Sequence, residues 1–388
     1  MRNGVKNYDD PIQQAAIAKF PRAALGFYRK WNGDVGGDKI GAAVRAIKAL
    51  SPATLIGQYT ILNEAANNTA TNQASSDIAI KINAADWWLR DAAGAIAQYT
   101  TAYGKYDLNI TEWSPADADG LRYPQWLARR DYAQFFATVP EFDFVYSDNC
   151  IDPYRGGPAD WMRDGTDRAA DDPVILTAWR RGMAAHWAEI RRLNPTLAHA
   201  GNTDSDMSQP EFTGKLDWAF IEGAIGKSYS TEASRGWAGM MQRYRDTDAN
   251  CTSPGGAILH AFGASATDHQ AMRYGLASAL QGDGMYAYNS SIEGYSSLPW
   301  CESFDARLGE PVAAAHLVGG VSLREYEGGL AVVNATKPAD KTLMGSTVTV
   351  DLSAYQLRRI LGAEPGHDGA PVGVLTLQPR EGAILLNV

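Results

Sequence analysis

Two short stretches carry the strongest chemical signal in the 388-residue chain. In FDFVYSDNC an apolar run, Phe142 to Tyr146, leads to Asp148; in WAFIEGA the run Trp218 to Ile221 leads straight into Glu222, and Gly223 leaves room beside it. An acid at the end of a buried element is costly unless it has a partner or a task. Asp and Asn also begin turns after strands, so capping competes as an explanation for Asp148; Glu is a poorer turn former, which weakens that competitor for Glu222. Two carboxyl groups, one protonated and one ionised, are the minimum equipment for breaking a glycosidic bond. One protonates the leaving oxygen, while the other attacks the anomeric carbon or activates water. Burial, or the neighbour's charge, separates their proton affinities. Glu222, reached through an apolar run, suits the proton donor, and Asp148, beside polar Asn149, suits the nucleophile or base.

Such a pair is useful only if the fold brings two distant segments to one place. Short apolar runs rich in β-branched and aromatic residues occur at 23–31, 54–61, 106–113, 142–149, 196–202, 218–223, 257–263 and 285–291. Segments at helical spacing lie between them, at 38–50, 84–103, 124–139, 173–193, 234–246 and 268–282. In 173–193 the apolar residues Ile175, Ala178, Trp179, Met183, Trp187 and Ile190 recur three or four apart, which predicts a helix with one side on a sheet. This rhythm, without a Gly-rich first turn, predicts an α/β fold: a (β/α)8 TIM barrel over residues 1–305. Beyond it, VSLREYEGGLAVVNAT, STVTVDLSAY, GVLTLQP and GAILLNV alternate apolar and polar residues between Gly, Pro and Asp-Gly turns. They predict a small C-terminal antiparallel β-sandwich domain over 306–388.

A barrel places its active-site groups where strands hand over to loops, at the C-terminal face. The strand ends carry Lys30 and Trp31, Asn63 and Glu64, Glu112 and Trp113, Asp148 and Asn149, then His199, Asn202 and Asp204, Glu222, His260, and Asn289 and Glu293. From these and the adjoining loops the expected substrate-binding set is Trp31, Glu64, Glu112, Trp113, Asn149, Asn202, Asp204, Tyr288, Glu293 and Trp300. Flat sugar faces stack on rings, and hydroxyls exchange hydrogen bonds with Asn, Asp and Arg. For any single ring, core packing is the commoner role. For Glu64 and Glu112 the competing role is an ion pair with a loop Lys or Arg.

Composition removes other classes. A formal charge of -9 opposes a nucleic-acid or anionic-membrane partner. Even Ala-rich stretches such as 41–50 are broken by charges, so no membrane span is expected. Cys150, Cys251 and Cys301 lack CxxC spacing, and the six histidines show neither HxH nor HExxH spacing, so no metal and no cofactor are expected. DGTDRAADD (164–172) lacks the ligand order of a calcium loop, and the two glycines of QGDGMY are a weak phosphate signal. The first twenty residues contain no uninterrupted apolar core; this fits a cytoplasmic chain, or a secreted or periplasmic one whose signal has been removed. A carbohydrate is the expected partner, and no oligomeric state follows from these features.

The segments FDFVYSDN, PWCESFDARLGEPV (299–312), VSLREYEGGLAVVNAT and DGAPVGVLTLQPREGAILL together resemble hypothetical glycosyl hydrolase family 15, a group similar in turn to endo-polygalactosaminidase barrels. The resemblance runs from about residue 23 onward and is sharpest at 142–149 and after 299. It implies a TIM-barrel catalytic domain, a C-terminal β domain and a carboxylate pair. In the polygalactosaminidases that pair follows strands four and six, and the matching positions here are Asp148 and Glu222. The chain departs from the related barrels where they often carry Gly and it has Phe144. The expectation is therefore a glycoside hydrolase acting on a poly- or oligosaccharide. Its rivals are a catalytically inactive carbohydrate-binding barrel, and an acid–base isomerase or lyase, which would need a metal or a Lys near Asp148; Lys30 is the strand-end candidate.

Overall fold

The structure is a computed structural model; it describes residues 8–27, 38–70, 76–204, 206–295, 297–335 and 345–388, together with the backbone of Arg2–Asn3. The chain divides into two compact units, 1–218 and 219–388.

In the first unit, strands β1 (Arg22–Leu25), β2 (Leu55–Ile61), β3 (Phe144–Cys150) and β4 (Ala198–Thr203) pair in parallel in that order, with Arg2–Asn3 beside β1. Parallel strands are covered on both faces, which is why they read as apolar runs. Helices α1 (Pro11–Ile17), α2 (Lys39–Leu50), α3 (Ser76–Ala85), α4 (Tyr123–Asp131) and α5 (Pro173–Leu193) supply cover. In α5, Asp172 caps the first turn through the amides of Val174 and Ile175, and Pro173 takes the first helical position. The stripe expected from Ile175 to Ile190 is the buried side. A side chain at Gly182 would put its Cβ 2.3 Å from the carbonyl oxygen of Ile110, so a glycine is what lets α5 approach that backbone. Similarly, Phe144, the departure from the related barrels, fits because its register partner on β2 is Gly57, whose missing side chain leaves space for the ring.

Two sequence expectations fail in this unit. Segment 106–113 is not a parallel strand, since β2 pairs directly with β3. Its first two residues, Tyr106–Asp107, instead form a short antiparallel ladder with Glu64–Ala65. The polar side chains explain this: Asn109 Nδ2 donates to the Trp161 carbonyl, and Asn109 Oδ1 accepts from the Thr111 hydroxyl and amide, so side chains draw backbone groups away from a ladder. Segment 84–103 is not a helix either. Asp91 accepts the amides of Ala93 and Ala95 around Gly94, which adopts a left-handed φ of 88°.

In the second unit, β5 (Trp218–Ile225), β6 (Ala257–Gly263) and β7 (Met285–Ser290) are parallel and consecutive. Helices α6 (Thr231–Ala249), kinked at Gly236, and α7 (His269–Ala279) accompany them. Seven of the eight expected strands thus form. The chain then builds β8 (His316–Val318), β9 (Val321–Tyr326), β10 (Gly329–Asn334), β11 (Val348–Asp351), β12 (Leu357–Arg359), β13 (Pro371–Val372), β14 (Val374–Leu377) and β15 (Glu381–Asn387). Their main sheet is antiparallel, ordered β8-β9-β10-β15-β12-β13, and β11 pairs with β14. Strand β10 is buried throughout: Ala331 and Val333 join a core with α7 and the parallel strands, while Leu330 and Val332 face a second core with Val350 and Leu377. Among the described residues no helix is long and apolar enough to cross a membrane.

Candidate active site

In the first unit Asp148 is 3% exposed and lies near the carboxyl end of β3. The parallel register between β3 and β4 slips between Ser147 and Cys150, and the next residue, Asn149, has φ 51°. This is a bulge, a device that re-aims a side chain at a strand end. The carboxylate is gripped on both oxygens. Tyr59 of β2 donates its hydroxyl to Oδ2 at 2.5 Å, and Asn202 of β4 donates Nδ2 to Oδ1 at 2.8 Å. Tyr59 is fixed in turn by stacking on Tyr146, with ring centroids 6.0 Å apart.

A second carboxyl belongs to the same neighbourhood. Glu64 is 6% exposed, and burial pushes it up to about 7, opposed by Lys105 and helped by the charges of Asp148 and Asp107. Its Oε2 has no hydrogen-bond partner among the described residues. Across the short ladder, burial raises Asp107 to about 6 against a hydrogen bond from the Tyr154 hydroxyl. Tyr99 links the group by hydrogen bonds to Glu64 and Asn149. Asp204, by contrast, is exposed and pairs with Arg155.

In the second unit Glu222 occupies a closely similar position on β5. The register with β6 slips between Ile221 and Ile225, and Gly223 has φ 61°. Glu222 is half-buried and accepts the Tyr295 hydroxyl. The bulge is pinned from behind: the Gly223 amide donates to His260 Nδ1 at 3.1 Å, and His260 Nε2 lies 3.0 Å from Asn289 Oδ1. An amide on Nδ1 puts the imidazole proton on Nε2, which donates to Asn289. The His260 ring also stacks on Tyr295 at 6.2 Å, so one residue orients both the bulge and the tyrosine that holds the acid. Lys227 Nζ lies 4.0 Å above the ring of Phe262.

The remaining expected ligands have these surroundings. Glu112 is exposed, 3.9 Å from Arg181, and with half-buried Trp113 belongs to the irregular segment rather than to a strand end. Tyr288 is a core residue whose hydroxyl donates to the Ser265 carbonyl at 2.7 Å; packing, not a rim, explains it. Glu293 is exposed and accepts the Ser290 hydroxyl, and Trp300 donates Nε1 to Asp305 at 2.9 Å. Trp31 and Lys30 lie outside the described residues. Sequence reasoning missed Tyr59 and Tyr99. Tyr59 lies one full pleat before Ile61, the register partner of Asp148, a relation that only the strand register reveals.

Parallel strands alternating with helices give a fold similar to that of glycoside hydrolase barrels. The model of hypothetical glycosyl hydrolase family 15 matches residues 56–330, and the chain belongs to that family. No curated protein matches the sequence. Among solved structures the fold is similar to an Anoxybacillus α-amylase (TM-score 0.52, 11% identity, covering 98% of this chain and 89% of that one). It is also similar to Eubacterium rectale Amy13B (TM-score 0.51, 8% identity, 100% and 93%) and to the Geobacillus stearothermophilus α-galactosidase AgaA (TM-score 0.51, 11% identity, 100% and 55%).

Proposed function

We propose that this protein hydrolyses glycosidic bonds of a poly- or oligosaccharide, with Asp148 and Glu222 as the carboxylate pair. In this reading residues 1–305 close as a (β/α)8 catalytic barrel and 306–388 act as a β domain beside it. The observation that carries the proposal is the repeated device: in each unit a parallel strand ends in a bulge whose left-handed residue follows an acid, and that acid is held by a tyrosine hydroxyl. Bulges concentrate beside active sites, and family membership supplies the reaction class.

Glu222, half-buried against Tyr295, protonates the departing oxygen as its bond to the anomeric carbon breaks. Asp148, fixed by Tyr59 and Asn202, either bonds to that carbon or takes a proton from the attacking water. A carboxyl separation near 5 Å gives retention and one of about 6.5–9.5 Å gives inversion. Glu64, with Oε2 open to a donor, and Asn149 line the cleft as sugar-hydroxyl acceptors.

Asp148→Asn and Glu222→Gln keep size and remove the acid. Each is expected to lower turnover of a polysaccharide panel by at least about a hundredfold while the protein stays folded. Wild-type turnover that survives both substitutions removes the assignment. Oligosaccharide binding with no wild-type turnover on any substrate selects the inactive binding barrel instead.

A further inference from the structure

Away from both carboxylates, three parts of the second unit converge: the 3-10 turn Glu302–Asp305, helix α7, and the loop between β12 and β13. One Oε atom each of Glu302 and Glu364 and one ring nitrogen of His367 lie within 4.8 Å of one another. His367 Nδ1 is 2.7 Å from Glu302 Oε2 and 3.9 Å from Glu364 Oε2, and His269 Nδ1 is 3.3 Å from Glu364 Oε2. Ligand atoms around a tetrahedral zinc sit about 3.3 Å apart when each bond is about 2.0–2.1 Å. These separations bracket that value.

The outer atoms are already fixed. Glu302 Oε1 accepts the Ala363 amide at 2.7 Å and its Oε2 the Glu364 amide at 3.1 Å; Glu364 Oε1 accepts the Glu302 amide at 2.7 Å. The far nitrogen of His367, Nε2, lies 3.4 Å from Ser303 Oγ. Metal-binding histidines typically give their other N–H to an oxygen in this way, and ligating carboxylates are hydrogen-bonded in turn. Gly362 completes the cradle, since a Cβ there would collide with Glu302 Oε2.

One inner atom is not satisfied. The Glu364 side chain is nine-tenths buried, yet its Oε2 receives no hydrogen bond among the described residues. Arg273 Nη1, at 3.8 Å, is the nearest guanidinium atom and is itself without a hydrogen bond there. We propose that Glu302, Glu364 and His367 form a three-residue structural zinc site, which fastens the β12–β13 loop to the turn at 302. Imidazole with carboxylate favours zinc over calcium or magnesium, which take oxygen ligands. Sequence spacing hid the site because only Glu364 and His367 are neighbours along the chain.

The test uses the full chain, stripped with a chelator and titrated with zinc against a chromophoric competitor. One equivalent is expected to bind with a dissociation constant below about 1 μM, raising Tm by about 3 °C or more, while Ca2+ and Mg2+ leave Tm unchanged. Glu364→Gln and His367→Ala should each weaken binding at least about tenfold, Ser303→Ala about threefold, and His316→Ala, on β8, not at all. Circular dichroism checks that each variant is folded. Less than one equivalent bound by the wild type at about 10 μM free zinc overturns the proposal. So does unchanged affinity in folded Glu364→Gln, or in Ser303→Ala if the first variant does not fold.

Discussion

Asp148 and Glu222 occupy matching places in the two halves of the chain, and the contrast between their surroundings separates what they share from what differs. Both follow an apolar run on a parallel strand, both sit at a bulge, and both accept a tyrosine hydroxyl. The common part is backbone: a left-handed residue after the acid turns the strand end so that the carboxyl leaves the ladder. The differing part is support. Asp148 is buried and accepts on both oxygens from the two flanking strands. Glu222 is half-buried, and its bulge is pinned through His260 rather than through the carboxyl itself.

The left-handed positions sharpen the comparison. Gly223→Ala places a Cβ at φ 61° and 3.1 Å from the Tyr229 ring, so both strain and crowding push the bulge, and Glu222 with it. A loss of at least about tenfold in rate is expected, with destabilisation of about 1–2 kcal/mol in urea titrations. Glu64→Gln probes the buried carboxyl beside Asp148. The folded chain raises Glu64 from its ordinary 4.5 to about 7, so the stability it contributes is full below 4.5 and fades as pH rises through 7. The variant cannot ionise; its Tm should match the wild type near pH 5 and exceed it by a few degrees near pH 8. A constant difference across that range contradicts the buried, proton-holding Glu64. Smallest of all is Asn149→Gly: the position already holds φ 51°, which glycine adopts freely, so stability should change by no more than about 0.5 kcal/mol. A collapse comparable to that of Gly223→Ala would show that the two bulges are not the same device.

The elements that position both acids were legible in the sequence wherever one signal dominated. Helix α5 begins and ends where Asp172, Pro173 and the paired arginines 191 and 192 place it, and its buried stripe follows the apolar spacing. Asp148 and Glu222 stood out because a charge interrupts an apolar run. The failures share a cause, which is side chains bonding to nearby backbone. Asn109 and Asp91 redirect their segments locally, overriding β-rich and Ala-rich compositions that favour strand and helix. With 106–113 removed from the sheet, Glu112 and Trp113 lost the strand end on which their selection rested. Tyr288 misled for another reason: an aromatic at a strand end serves core and rim equally well by pattern, and only its bond to the Ser265 carbonyl separates them. Tyr59, which orients Asp148, could be found only from pleat parity and register, which a single sequence does not supply, whereas His260 stood at a predicted strand end but its role behind the Glu222 bulge did not.

The claim that two distant acids serve one reaction is tested most directly by turnover of the double variant Asp148→Asn/Glu222→Gln beside the two single ones. Residues that act as a unit are strongly non-additive. The double variant is therefore predicted to be no slower than about threefold below the weaker single variant. A double variant whose loss equals the product of the two single losses would mean that the acids act independently, and the shared site would be wrong.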